Sequence, residues 1–86
     1  TLTVENTLGL HARAAARLVR LATTFNCVIT LRRADTKTSA NAKDILSVLS
    51  IAASRGVELN VTADGPDEND AIEQINVLFA DKFGEE

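Results

Sequence analysis

The stretch TLGLHARAAARLVR, residues 7–20, holds the only histidine of the 86-residue chain and three of its arginines. Its alanine-rich part favours helix from Ala12 to about Thr24. Leu18, Leu21, Ala22 and Phe25 fall at i, i+3, i+4 and i+7, so that helix buries one stripe. Gly9 lies in a loop before it, and His11 stands at the helix start. What covers the stripe decides the fold.

Upstream, Leu2 and Val4 alternate with polar neighbours as a short first strand. Downstream, Cys27, Ile29 and Leu31 alternate with Val28, Thr30 and Arg32, a strand with one covered face. RADTK turns the chain, and Thr38 to Ala40 return as a short partner. Asp44 to about Ala53 reads as a second helix with Ile45, Val48, Leu49 and Ala52 on one face, ended by Gly56. Val57, Leu59, Val61 and Ala63 alternate through the clearest strand. DGPDEND then provides a turn, a proline suited to the first helical position and acids for the first turn of a helix. Ile72, Ile75, Phe79 and Phe83 line one side of that last helix. The order is βαββαβα, and one-faced strands need one-striped helices to cover them. The expected fold is α+β: an open-faced β-sandwich, with a four-stranded, mostly antiparallel sheet covered on one face by three helices.

The chain is long enough for a single domain, residues 1–86. With no apolar run near the ~20 residues that span a bilayer, direct membrane insertion is not expected. One cysteine, Cys27, excludes an internal disulfide, fits a reducing cytoplasm and reads as a buried thiol. One Cys and one His make no clustered nitrogen and sulfur set for a structural metal, and nothing calls for a cofactor. The net charge of −3 conceals two halves: residues 1–43 carry seven basic and two acidic residues, residues 44–86 ten acidic and two basic. An acidic chain with three Phe and neither Trp nor Tyr is no candidate for nucleic-acid binding. The basic first half suits an acidic partner or an anionic group.

The chemistry concentrates at His11. The first amides of a helix lack intrahelical partners, and the helix dipole makes that end attractive to anions. Arg13, Arg17 and Arg20 add positive charge along one face, where they repel one another. That arrangement makes sense if the helix end receives an anion. An ordinary imidazole titrates near about pH 6.5, so much of it is neutral at pH 7 and one ring nitrogen has a lone pair for nucleophilic attack. A phosphoryl group on it would meet the open amides, with the Arg13 guanidinium able to offer two parallel charge-assisted bonds.

The segment GLHARAAA, residues 9–16, resembles the active-site signature of the HPr family, the histidine-containing phosphocarriers of the bacterial phosphoenolpyruvate:sugar phosphotransferase system. NAKDILSVLSIAASRG, residues 41–56, and ADGPDENDAIEQI, residues 63–75, extend the likeness over essentially the whole chain. The resemblance implies a cytoplasmic, monomeric carrier. His11 is phosphorylated at Nδ1 by Enzyme I and passes the group to sugar-specific IIA domains, while Arg13 holds the phosphate. It implies a stoichiometric phosphohistidine intermediate rather than a free-standing catalyst. It places the docking surface for both partners on Ala12, Ala16 and Arg20 of the first helix and Ile45, Leu46 and Leu49 of the second, edged by Lys43. The alternative is a regulatory module on the same fold that acts by docking rather than by phosphotransfer.

Three positions depart from the family pattern. Ala14 stands where proline is usual. Leu8 replaces a small polar residue before the glycine, leaving Thr7 or Asn6 to take over its hydrogen bonding. Asp44 occupies the position at which many Gram-positive relatives carry a phosphorylatable serine. With no hydroxyl there, Asp44 either imitates a phosphoserine or caps the second helix; we read it as the cap.

Overall fold

The computed structural model describes residues 1–85. The alternation around Leu59 and Leu31 becomes a sheet. Strand β1 covers Leu2–Thr3, β2 Val28–Arg33, β3 Ser39–Asn41 and β4 Glu58–Asp64. Their order across the sheet is β1-β4-β2-β3, and every pairing is antiparallel. Leu31 lies opposite both Val61 and Ala40, and Leu2 opposite Leu59, so the register sets apolar residues on one face. Val28, Arg32, Asn60 and Thr62 are exposed.

Three helices cover that apolar face: α1 over Ala12–Ala22, α2 over Ile45–Ser50 and α3 over Glu68–Ala80. Leu18 of α1, Val48 of α2, and Ile75 and Phe79 of α3 pack with Ile29, Leu31 and Leu59 in one core. Cys27 is a buried free thiol immediately before β2. Burial first, and then the neighbouring Asp67 carboxylate, push its pKa up. Among the described residues no helix is long and apolar enough to cross a membrane.

The expected order βαββαβα is the observed one, with differences at element ends. Helix α1 stops at Ala22 rather than Thr24, because the Thr23 and Thr24 hydroxyls donate back to the Arg20 and Leu21 carbonyls at 2.9 and 2.7 Å. Helix α2 stops at Ser50 and not near Ala53, so Gly56 does not end it. Ala52 takes a left-handed conformation (φ 50°), and the Arg33 guanidinium donates to the Ile51 and Ala52 carbonyls at 2.9 and 3.2 Å. The chain thus leaves the helix early. Ile51 and Ala53 are buried in place of the expected Ile45 and Ala52, which are exposed.

Pro66 precedes the N-cap Asp67 and so stands outside α3 rather than at its first position, although Glu68 and Asp70 do acidify the first turn. Phe83 lies beyond α3, in a tight turn over Lys82–Gly84. Its buried ring still packs edge-on against Phe79 with centroids 4.7 Å apart, an arrangement worth about 0.5–1.5 kcal/mol beyond burial. That turn sends the end of the chain back towards the start of α1.

Candidate functional site

His11 is the N-cap of α1, with extended backbone and its carbonyl accepting the first helical bond from Ala15 at 2.8 Å. Its Nδ1 accepts the Arg13 amide hydrogen at 3.3 Å, so the imidazole is placed as a capping side chain would be. The loop before it is locked from both sides. Buried Leu10 donates its amide to the Ala53 carbonyl at 2.8 Å. Gly9 has φ 69°, and a Cβ there would stand 2.8 Å from the Ala53 oxygen and 2.9 Å from the Ser54 Cα. Only glycine fits that approach.

Of the two candidates to replace the missing polar residue, Asn6 takes the part. It is fully buried, and its Nδ2 donates to the Gly9 carbonyl at 2.7 Å and to Glu85 Oε1 at 3.1 Å. Thr7 and Leu8 are exposed. Ala14 is wholly buried as the third residue of α1, which begins at Ala12 without a proline to fix it.

An open cleft of about 770 Å³ lies at this helix end, lined among others by His11, Ala12, Arg13, Arg17, Gly84 and Glu85. The three arginines of the sequence stripe part company here. Arg13 is exposed beside His11, and Arg20 is exposed further along α1 and does not line the cleft. Arg17 is half-buried, and its guanidinium donates to the Phe83 carbonyl. It braces the chain end, a role hidden from a helical-wheel reading.

Glu85 is the residue that sequence reasoning missed. Its carboxylate meets His11 Nε2 at 2.9 Å through Oε2 and 3.1 Å through Oε1. Burial alone would raise its pKa. Hydrogen bonds from Asn6 and His11, with the Arg17 guanidinium nearby, hold it below the ordinary carboxylate value. The two residues stand 74 positions apart, and no local pattern links them.

The second helix contributes exposed apolar surface: Leu46 is 75% and Ile45 37% exposed, with Leu49 half-buried. Ala12 is exposed and Ala16 half-buried on the packed neighbour α1. Lys43 is half-buried, its ammonium donating to the Phe25 carbonyl at 2.7 Å. Asp44 is the N-cap of α2, accepting from the Leu46 and Ser47 amides at 3.0 and 3.3 Å.

The model of the PTS HPr component phosphorylation site matches residues 1–81. Phosphocarrier protein HPr of Xylella fastidiosa (strain Temecula1) is 42% identical over 99% of this chain and 93% of its own length. A crystal structure of HPr from Thermoanaerobacter tengcongensis superposes with a TM-score of 0.93 at 36% identity, covering 99% of this chain and 93% of that one. A structure of an HPr dimer from the same organism gives a TM-score of 0.81 at 36% identity, covering 99% and 95% of the two chains. A helix opening on a cleft-lining histidine, the all-antiparallel sheet behind it and these likenesses converge: the chain belongs to the HPr family, the phosphocarriers of the phosphotransferase system.

Proposed function

We propose that residues 1–86 form one HPr-like domain in which His11 accepts a phosphoryl group from Enzyme I at Nδ1 and hands it to sugar-specific IIA domains. The observation that carries this reading is the direction of the ring. Nδ1 points at the first-turn amides of α1 and already accepts the Arg13 N–H. A group bonded to that nitrogen enters the positive end of the helix. The Arg13 guanidinium, exposed on the same cleft, pairs with the phosphoryl oxygens. The site lends the phosphoryl group hydrogen bonds while leaving it open to the next acceptor.

Partners dock on the adjoining face. Ala12, Ala16 and Arg20 of α1, with Ile45, Leu46 and Leu49 of α2 and Lys43 at the edge, supply an apolar patch with basic residues around it. Exposed leucine and isoleucine side chains gathered beside a charged rim suit a transient interface with an acidic partner. The protein acts as a monomer in the cytoplasm, a stoichiometric intermediate whose partners bring most of the catalytic machinery. Light scattering of the purified chain checks the monomer, against the dimer seen for one relative.

Incubation with Enzyme I and phosphoenolpyruvate tests the reading. The expected outcome is a mass gain of one phosphate that is lost in acid and absent from His11→Ala. An unmodified wild-type protein would instead mean a regulatory module that acts by docking.

A further inference from the structure

The carrier reading leaves one group in the cleft without a task, the Glu85 carboxylate. Resting on that reading, we propose that Glu85 is a positioning residue for His11: it accepts the Nε2 hydrogen, keeps Nδ1 turned to the mouth of α1, and balances the positive charge the ring gains while it carries phosphate.

The hydrogen-bond pattern assigns the tautomer. The Arg13 amide donates to Nδ1, so Nδ1 holds a lone pair and the single hydrogen of the neutral ring sits on Nε2. That hydrogen meets the Glu85 carboxylate at 2.9 Å. Asn6, fully buried, fixes the carboxylate from behind through its Nδ2 at 3.1 Å. The side chains of His11 and Glu85 are 28% and 14% exposed, which shields the pair from much of the solvent.

The fold commits backbone strain to this placement. Lys82, Phe83 and Gly84 are all left-handed, with φ of 53°, 57° and 74°. For the two that carry a Cβ this conformation is unfavourable. Arg17 clamps the Phe83 carbonyl, and a Cβ on Gly84 would stand 2.7 Å from the same guanidinium. Buried Phe83 anchors the turn, and the residue delivered at its end is Glu85.

During transfer the Nδ1 lone pair forms the bond to phosphorus. The bond from phosphorus to the donor atom breaks, and its electron pair leaves with the donor. The Nε2 hydrogen stays in place, so the ring becomes a cation beside the carboxylate. On transfer to the next acceptor the phosphorus–Nδ1 bond breaks, its pair returns to Nδ1 and the ring is neutral again. No proton need move to or from solvent in either direction. Glu85 lies at the far edge of the ring from Nδ1, where it meets the developing positive charge before it meets the phosphoryl oxygens.

The test compares wild type, Glu85→Gln and Glu85→Ala as full chains, with matching amide spectra as the check on folding. Imidazole NMR of the unphosphorylated protein is expected to show a slowly exchanging Nε2–H in wild type. The signal persists in Glu85→Gln, whose amide oxygen still accepts, and is lost in Glu85→Ala. Transfer from Enzyme I is expected to fall about tenfold in turnover for both variants, because both lack the charge, with half-saturation unchanged. A Glu85→Ala protein that keeps the wild-type imidazole signal and the wild-type turnover overturns the assignment of Glu85. A wild-type protein that takes up no phosphate sinks the carrier reading and the charge-balancing role together, even where the Nε2–H signal is present.

Discussion

Helices α1 and α2 both begin with a side chain accepting first-turn amides, yet they are closed in opposite ways. Asp44 takes two amides at 3.0 and 3.3 Å with a fixed negative charge, and the other end of α2 is held by Arg33. His11 takes one amide at 3.3 Å with a neutral nitrogen, and a cleft lies open beside it. A carboxylate cap completes a helix; an imidazole cap leaves its positive end unanswered. The difference separates a terminus built for stability from one able to receive an anion.

The largest expected effect comes from making the first terminus resemble the second. Asparagine caps helices about as well as aspartate. His11→Asn should therefore fold with unfolding midpoints close to wild type and accept no phosphate at all. Mass spectrometry after incubation with Enzyme I, set beside a urea titration, reads both. Loss of the fold would mean that the imidazole is itself a structural element, and the contrast with Asp44 would collapse.

Next comes Arg13→Ala. A hydrogen bond to a charged group contributes about 1.5–3 kcal/mol, which corresponds to roughly a tenfold to hundredfold fall in transfer rate. Stability should stay level or rise slightly, since a cation leaves the positive end of α1. Rapid-quench kinetics checks the rate. An unchanged rate would move the phosphate-binding role elsewhere in the cleft.

Asp44→Ala probes the closed terminus and should cost about 1 kcal/mol of stability, read from urea midpoints, with transfer untouched. A changed transfer rate would give Asp44 a part in docking beyond its cap.

What could be read before folding follows the range of the interactions. The helix start at His11, the cap at Asp44 and the alternation of β2 and β4 depend on neighbours within a few residues, so the chain displays them. The periodicity of α2 continues to Ala53 and predicts a longer helix than the one observed. Only the distant Arg33 guanidinium and the Leu10 amide, both arriving from elsewhere in the fold, reveal why it stops at Ser50. In the sequence Arg17 is one more member of a basic stripe, and only the returning chain end gives it a partner of its own. Glu85 has no local signature at all. The half of the candidate site made by the helix start is legible in GLHARAAA, and the half made by the returning chain end is not.

The smallest effect concerns the other end of α2. Arg33 reaches the Ile51 and Ala52 carbonyls while its Nε and second terminal nitrogen grip Asp35 at 2.9 and 2.7 Å. The Arg33 guanidinium, together with the Thr36 amide, lowers the Asp35 carboxyl from 3.8 to about 2. A folded-state value below the unfolded one means that the unfolded chain binds the proton more readily. The stabilisation is therefore complete above roughly pH 4 and fades as pH falls towards about 2. Asp35→Asn should make the acid limb of the stability curve slightly shallower over that window, as thermal midpoints would record, while leaving transfer at neutral pH intact. The slope that remains belongs to the other depressed carboxylates, Asp67 and Glu85. Because Glu85 faces His11, a doubly substituted Asp35→Asn, Glu85→Gln chain should flatten the limb further and show slower transfer only through the second change. The open and closed helix ends would then be separable by acid as well as by phosphate.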